Sequence, residues 1–151
     1  MNKLQTSLYI LLLLLTSCAY EPILKKKNYD FSLAVEIVEG NKNINNLIKQ
    51  NLENIKGSGK NFKISIDSKI EKSVISKDSK GDPSILGLSV IVNYKVKDAD
   101  NVIIEDTLNN NTNYNNISDK FELKNYENIL IKNLSDRISE NIISFIATSL
   151  R

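Results

Sequence analysis

Apolar residues recur along this chain in three rhythms, and each rhythm predicts a different element. Phe31, Leu33, Val35 and Ile37 alternate with Ser32, Ala34 and Glu36, the spacing of a strand with one face buried. After the break "EGNKN", Ile44, Leu47, Ile48, Leu52 and Ile55 recur every three or four positions, which predicts a helix capped by Asn41 or Asn43 and stopped at Gly57. Alternation returns at Phe62, Ile64, Ile66, Ile70 and Val74, with Ser68 in phase, and predicts a long second strand. The polar stretch at 76–84 reads as a turn. Leu86, Leu88, Val90, Val92, Tyr94 and Val96 form a third strand, and "DADN" a tight hairpin. Val102, Ile104 and Leu108 form a fourth strand, and the asparagine-rich "NNNTNYNN" is expected to be a loop. From Glu122 to Leu150 a long helix is expected. Leu123, Tyr126, Leu130, Leu134, Ile138, Ile142, Phe145 and Ile146 make its apolar stripe, and Ile129, Ile131 and Ile143 widen it.

The order strand, helix, three strands, helix predicts an α+β fold: a two-layer sandwich in which two helices cover one face of a four-stranded sheet. A helix of that length spans about 43 Å at 1.5 Å per residue. It can therefore run the length of the two longest strands.

The third rhythm is an unbroken run. Leu8 to Leu15 is apolar throughout, but its eight residues fall far short of the roughly 20 that a bilayer-spanning helix needs. Lys3 precedes it and small polar residues follow, the layout of an export signal. Leu15-Thr16-Ser17-Cys18 resembles the bacterial lipobox, in which cleavage falls just before a cysteine whose thiol takes a diacylglycerol. A lone cysteine in an exported chain has no internal disulfide partner, and lipidation removes the reactive thiol. Two or three acyl chains on one residue also meet the need for more than one signal in stable anchoring. Residues 1–17 are thus read as a signal peptide, 18–28 as a lipidated tether, and 29–151 as a single domain. Lys25, Lys26 and Lys27 in the tether are a solvated linker or a contact with an anionic membrane surface. Ala19 follows the cysteine where aspartate would signal retention at the inner membrane, so sorting to the outer membrane is expected.

Removing 17 of the 151 residues leaves 134, enough for one domain. Only Lys3 is lost among the charges, so 19 basic residues remain against 18 acidic ones and nothing in the global charge points to nucleic acid. The abundance of Asn, Lys and Ile reads as the bias of an AT-rich genome. The chain has no histidine and no tryptophan, which excludes histidine-based triads and histidine metal sites. Its carboxylates, Glu36, Glu39, Asp67, Glu71, Glu105 and Asp106 among them, fall in no acid/base or calcium-loop spacing. "GSG" at 57–59 reads as a helix stop and not as a phosphate loop. No cofactor is expected, and the chain reads as one that binds and does not catalyse.

The positions out of phase with the core carry a second message. Lys63, Ser65, Asp67, Lys69 and Glu71 on the second strand, and Ser89, Asn93, Lys95 and Lys97 on the third, make a polar face interrupted only by Ile91. Such a face is either plainly solvated, as in many antiparallel sheets, or fitted to a wet partner surface such as the interior of a β-barrel.

Several stretches resemble one family. "CAYEPIL", Cys18 to Leu24, is similar to the mature start of lipopolysaccharide-assembly lipoproteins of the LptE (RlpB) type. Those open with cysteine, a small residue, an aromatic, then proline and an aliphatic; here the matching residues are Cys18, Ala19, Tyr20, Pro22 and Ile23. "LSVIVNYKVKDADNVIIEDTLNNNTNYN" resembles that family's long hairpin, ending in a loop with a tyrosine, Tyr114. "ISDKFELKNYENILIKNLSDRISENIISFIATSL" resembles its final helix after a phenylalanine, Phe121. Family members often carry an arginine-bearing segment ahead of the third strand, where this chain has Lys77-Asp78-Ser79-Lys80. The resemblance implies a lipid-anchored protein on the periplasmic side of a Gram-negative outer membrane. It would plug and help assemble the β-barrel lipopolysaccharide translocon and assist delivery of lipopolysaccharide. On that reading Lys69 and Lys95 belong to the partner face. Lys77 and Lys80, in a turn expected at the end away from the anchor, are candidates for the phosphates of lipopolysaccharide; Lys56 and Lys60 are weaker ones near the anchor. The alternative for all four is ordinary surface lysine. The alternative for the whole chain is an auxiliary lipoprotein of a lipid or solute ABC transporter.

Overall fold

The computed structural model describes residues 29–150. Six elements follow one another: β1 (Phe31–Gly40), α1 (Lys42–Glu53), β2 (Lys60–Lys77), β3 (Pro83–Asp98), β4 (Asn101–Asn115) and α2 (Lys120–Ser149). The chain has the expected α+β character. The four strands lie in the order in which they occur, β1-β2-β3-β4. The sheet is mixed. β1 runs parallel to β2 (Phe31 opposite Lys60, Ile37 opposite Ile66), whereas β2–β3 and β3–β4 are antiparallel. A parallel neighbour requires a crossover, and α1 supplies it. A further one-residue antiparallel bridge, Lys56 to Ser32, lies outside the four strands.

Local chemistry starts the helices, and α1 ends at Glu53 with Asn54 as its C-cap, short of the stop expected at Gly57, whose N–H instead donates to the Phe31 carbonyl oxygen. Asn41 caps α1, its side-chain oxygen accepting from the backbone N–H of Asn43 and Ile44. Asp119 caps α2 in the same way through Phe121 and Glu122. Gly40 makes the turn into α1 at φ +100°, and a β-carbon there would lie 2.2 Å from the Ser68 carbonyl oxygen. Only glycine has both the torsion and the room.

α1 packs mainly on β1, α2 on β4 and β3, and the two helices on each other. The core between the layers is aliphatic, with Ile44, Ile48, Ile64, Ile66, Leu88, Val90, Val92, Ile138, Ile142 and Ile146 fully buried. Among the described residues its buried polar side-chain atoms are paired, except the Tyr94 hydroxyl. The Asn45 side chain donates to the Glu39 carbonyl oxygen at 2.8 Å and accepts from Ser68 Oγ at 2.6 Å, tying α1 to β2. Asn51 on α1 donates to Asp136 on α2 at 2.8 Å.

Several expectations are corrected. The asparagine-rich stretch is the second half of β4, not a loop. Asn110, Thr112 and Tyr114 lie opposite Val90, Leu88 and Leu86, and their pairing satisfies backbone groups of β3 that would otherwise be orphaned. Pairing thereby overrides asparagine's poor strand propensity. Val74 is 49% exposed and not in the core, because α1 begins beside Ser68 and runs back toward the start of β1, leaving the far half of β2 uncovered. The stripe of α2 is also narrower than expected: Tyr126, Ile129 and Phe145 are exposed, while Ile131, Leu134 and Ile138 face the core. Val102, next to the β3–β4 turn, is exposed as well.

Candidate partner-binding surface

The face of the sheet away from the helices carries the polar residues that the alternation predicts. Most of its charges are paired among themselves. Lys63 meets Glu36 on β1 at 3.7 Å, Lys69 meets Glu71 at 2.7 Å, and Lys95 meets Glu105 on β4 at 2.7 Å. Thr107 donates to Asn93 at 2.8 Å. The surface is therefore wet and nearly charge-neutral, with lysine and carboxylate alternating across the strands. Exposed pairs of this kind contribute about 0–1 kcal/mol each. The lysines remain available to exchange their carboxylates for those of a partner. Lys69 and Lys95, predicted for this face, both lie on it and both are exposed.

The turn at 78–82 is built around Asp78, whose side-chain oxygen accepts from the backbone N–H of Lys80 and Asp82, both at 2.9 Å. Gly81 supplies the positive φ, +88°. Lys77 and Lys80 are exposed and in no ion pair among the described residues. The register places this turn at the end of the domain opposite Phe31, as expected. Lys56 and Lys60 lie instead beside Ser32 and Phe31, and Lys60 pairs with Asp98 at 3.1 Å. Cys18 and the lysines of the tether lie outside the described residues.

A feature the sequence did not disclose stands between the turn and the core. Glu127 of α2, buried in the layer interface, accepts from the Tyr114 hydroxyl of β4 and from Lys72 of β2, both at 2.5 Å. Burial alone would raise the Glu127 carboxyl. The hydrogen bonds from Lys72 and Tyr114, with the charge of Lys72, outweigh burial and hold it below its usual value. Burial and the Glu127 carboxylate push the Tyr114 hydroxyl far up, so it stays protonated and donating. No spacing signals this cluster, because it joins three elements. The one hint was Lys72, a charge in phase with the core residues of β2.

Around that cluster the far end of the domain presents apolar side chains to solvent: Val74 and Ile75 on β2, and Phe121 (75% exposed) at the start of α2. The turn lysines thus sit above an apolar collar. Among the described residues no group of three or more acidic or cysteine side chains is arranged to hold a metal, and no helix is long and apolar enough to cross a membrane.

No family model matches the chain, and no curated protein matches it. Solved structures do. Rare lipoprotein B from Shewanella oneidensis superposes with a TM-score of 0.63 at 14% identity, covering 78% of this chain and 95% of that one. The chain has the rare lipoprotein B fold. An uncharacterized lipoprotein B from Nitrosomonas europaea gives a TM-score of 0.58 at 14% identity, over 79% of this chain and 83% of its own. A minor lipoprotein from Acinetobacter baumannii gives 0.55 at 16% identity, over 76% and 92%. Identities this low establish the fold, and the chemistry of the surface has to come from the residues present here.

Proposed function

We propose that this chain is an LptE-type lipoprotein of the outer membrane, lipidated on Cys18 and facing the periplasm. It seats its domain against the inside of the β-barrel lipopolysaccharide translocon, helps that barrel assemble, and assists lipopolysaccharide delivery. The observation that carries the reading is the rare lipoprotein B fold over nearly the whole described domain, joined to the lipobox Leu15 to Cys18. The open sheet face supports it. A barrel interior is polar and hydrated, and a neutral mosaic of paired lysines and carboxylates can meet such a wall without leaving a buried charge unpaired. The far end supports the delivery role, since Lys77 and Lys80 offer ammonium groups to phosphates while Val74, Ile75 and Phe121 offer apolar area to acyl chains.

The test is purification of the tagged chain from detergent-solubilised outer membranes, with photo-crosslinkers placed at Lys69, Lys95 and, as a contrast, exposed Arg137 on α2. The expected result is a barrel protein that co-purifies and crosslinks from the two sheet positions. Recovery of the chain without a barrel, or with inner-membrane transporter subunits in its place, sinks the proposal. Crosslinking from Arg137 alone leaves a barrel partner but reassigns the face. For the anchor, intact-mass spectrometry should show a chain that begins at an acylated Cys18; an unmodified cysteine is incompatible with it.

A further inference from the structure

A groove runs between the edge strand β4 and the C-terminal half of α2, on the helix side of the sheet and well away from both the open face and the 78–82 turn. Its floor is Tyr94, which is 1% exposed and whose hydroxyl has no hydrogen-bond partner among the described residues. A buried hydroxyl without a partner costs free energy that a ligand or a bound water recovers. Asp106, directly opposite Tyr94 across the β3–β4 ladder, stands at one rim. One of its carboxylate oxygens accepts from the backbone N–H of Thr107 and the other is unengaged. Asn141 and Ser144 line the other wall from α2. Phe145, on the same helix, is 44% exposed beside them, although its neighbour Ile146 is fully buried.

The chemistry of this lining selects a ligand class. Among the described residues it contains no lysine or arginine, so a phosphate or carboxylate would meet Asp106 with no counter-charge. It offers a hydroxyl, an amide and a carboxylate at different heights, plus an aromatic flank. Groups that both donate and accept, on a ring with an apolar C–H face, satisfy all of these together: hydroxyls donate to Asp106, accept from Tyr94 and Asn141, and the ring lies on Phe145. We propose that the groove between β4 and α2 binds a neutral sugar ring, with Tyr94 and Asp106 as its hydrogen-bonding residues and Phe145 as its stacking platform. Burial and the nearby Asp106 raise the Tyr94 hydroxyl above its usual value, which keeps it a donor at neutral pH. The sugar can come from a free oligosaccharide or from the head group of a glycolipid, and the groove reads the same chemistry in either.

The experiment uses the full chain, isotopically labelled and held in micelles of a sugarless amine-oxide detergent, with NMR shifts as the readout. One arm adds maltose in solution; the other adds dodecyl maltoside, which presents the same sugar on a lipid-like chain. The expected result is a saturable shift at Asn141, Ser144, Asp106 and the Phe145 ring at millimolar sugar. Response to maltose assigns a free oligosaccharide, and response to dodecyl maltoside alone assigns a glycolipid. Tyr94→Phe removes one buried, unpartnered hydroxyl and should leave folding intact while weakening binding about fivefold to tenfold, the weight of one neutral hydrogen bond. Phe145→Ala, at a half-exposed position, should weaken it comparably. Absence of shifts in both arms overturns the proposal. So does a response that Tyr94→Phe leaves unchanged, or one that sugarless dodecyl detergent reproduces, since either means that water satisfies Tyr94 and the groove adsorbs only alkyl chains.

Discussion

Replacing Glu127 with leucine removes the acceptor shared by Tyr114 and Lys72, and its cost can be worked from the geometry. The Tyr114 hydroxyl is in a residue only 4% exposed, so without Glu127 it stays buried and unpaired at about 1–3 kcal/mol. The Lys72 side chain is 51% exposed. Its ammonium returns to water, and loss of that half-solvated pair adds less than about 1 kcal/mol. Relief of the carboxylate's own desolvation offsets part of the total, leaving Glu127→Leu destabilised by about 2 kcal/mol. In urea that moves the midpoint by on the order of 1 M with an unchanged slope. Glu127→Gln keeps a neutral acceptor for Tyr114 and should cost about 1 kcal/mol. Adding Tyr114→Phe to Glu127→Leu removes the orphaned hydroxyl, so the double variant should be more stable than the sum of the single losses by at least about 1 kcal/mol. Equilibrium urea unfolding followed by far-UV circular dichroism gives all four corners of the cycle. Additive single losses, or a Glu127→Leu variant within about 0.3 kcal/mol of the parent, would refute the reasoning, because the three side chains would not be acting as one unit.

Acid should erase the same contribution. A depressed folded-state carboxyl adds stability above its ordinary value of 4.5, and that stability is lost as pH falls through the lower folded value. The gap between parent and Glu127→Gln should therefore close at low pH, and a gap that persists unchanged there contradicts the sign. Gly40→Ala, with its β-carbon 2.2 Å from the Ser68 carbonyl oxygen and φ at +100°, should lower stability by more than about 2 kcal/mol by thermal unfolding, whereas Gly81→Ala, with open space around it, should cost only about 1 kcal/mol of torsional strain. Lys77→Glu with Lys80→Glu should weaken lipopolysaccharide binding at low salt and make the residual binding less salt-sensitive, with stability changed by less than about 0.5 kcal/mol; parental binding at low salt removes the turn as the site. Lys69→Glu with Lys95→Glu faces Glu71 and Glu105 with like charge and should cost about 1 kcal/mol or less, yet deplete the barrel from pull-downs; undiminished recovery of the barrel argues against the open face.

What the sequence disclosed was local, and what it withheld was set at a distance. Alternation and helical spacing placed every element, and Asn41 was legible as a cap because capping is a short-range bond. The second half of β4 was not legible, because Asn109 to Asn111 carry no strand propensity of their own and pair only because β3 needs a neighbour. Val74 kept the rhythm of the core but lies past the end of the helix that would have covered it, a length mismatch that periodicity does not register. The polar face could be listed from Lys63 to Lys97, but its internal pairing of Lys95 with Glu105 depends on a register fixed by the two-residue turn at Ala99 and Asp100. The Tyr94 groove was invisible for the same reason, being lined from three elements, β3, β4 and α2.

The parallel pairing of β1 with β2 has a mechanical consequence. The described domain begins with β1, and the far turn at 78–82 lies at the opposite end of the strand it pairs with. A pull between a membrane held at the N-terminus and a partner held at that turn acts along the strand axis. It loads the whole ladder from Phe31–Lys60 to Gly40–Ser68 in shear, so its bonds must fail together, not one after another as in a hairpin peeled from its end. Resistance to such force is a matter of unfolding rate and not of equilibrium stability. A domain loaded in this way carries tension through the sheet and not through the β3–β4 hairpin.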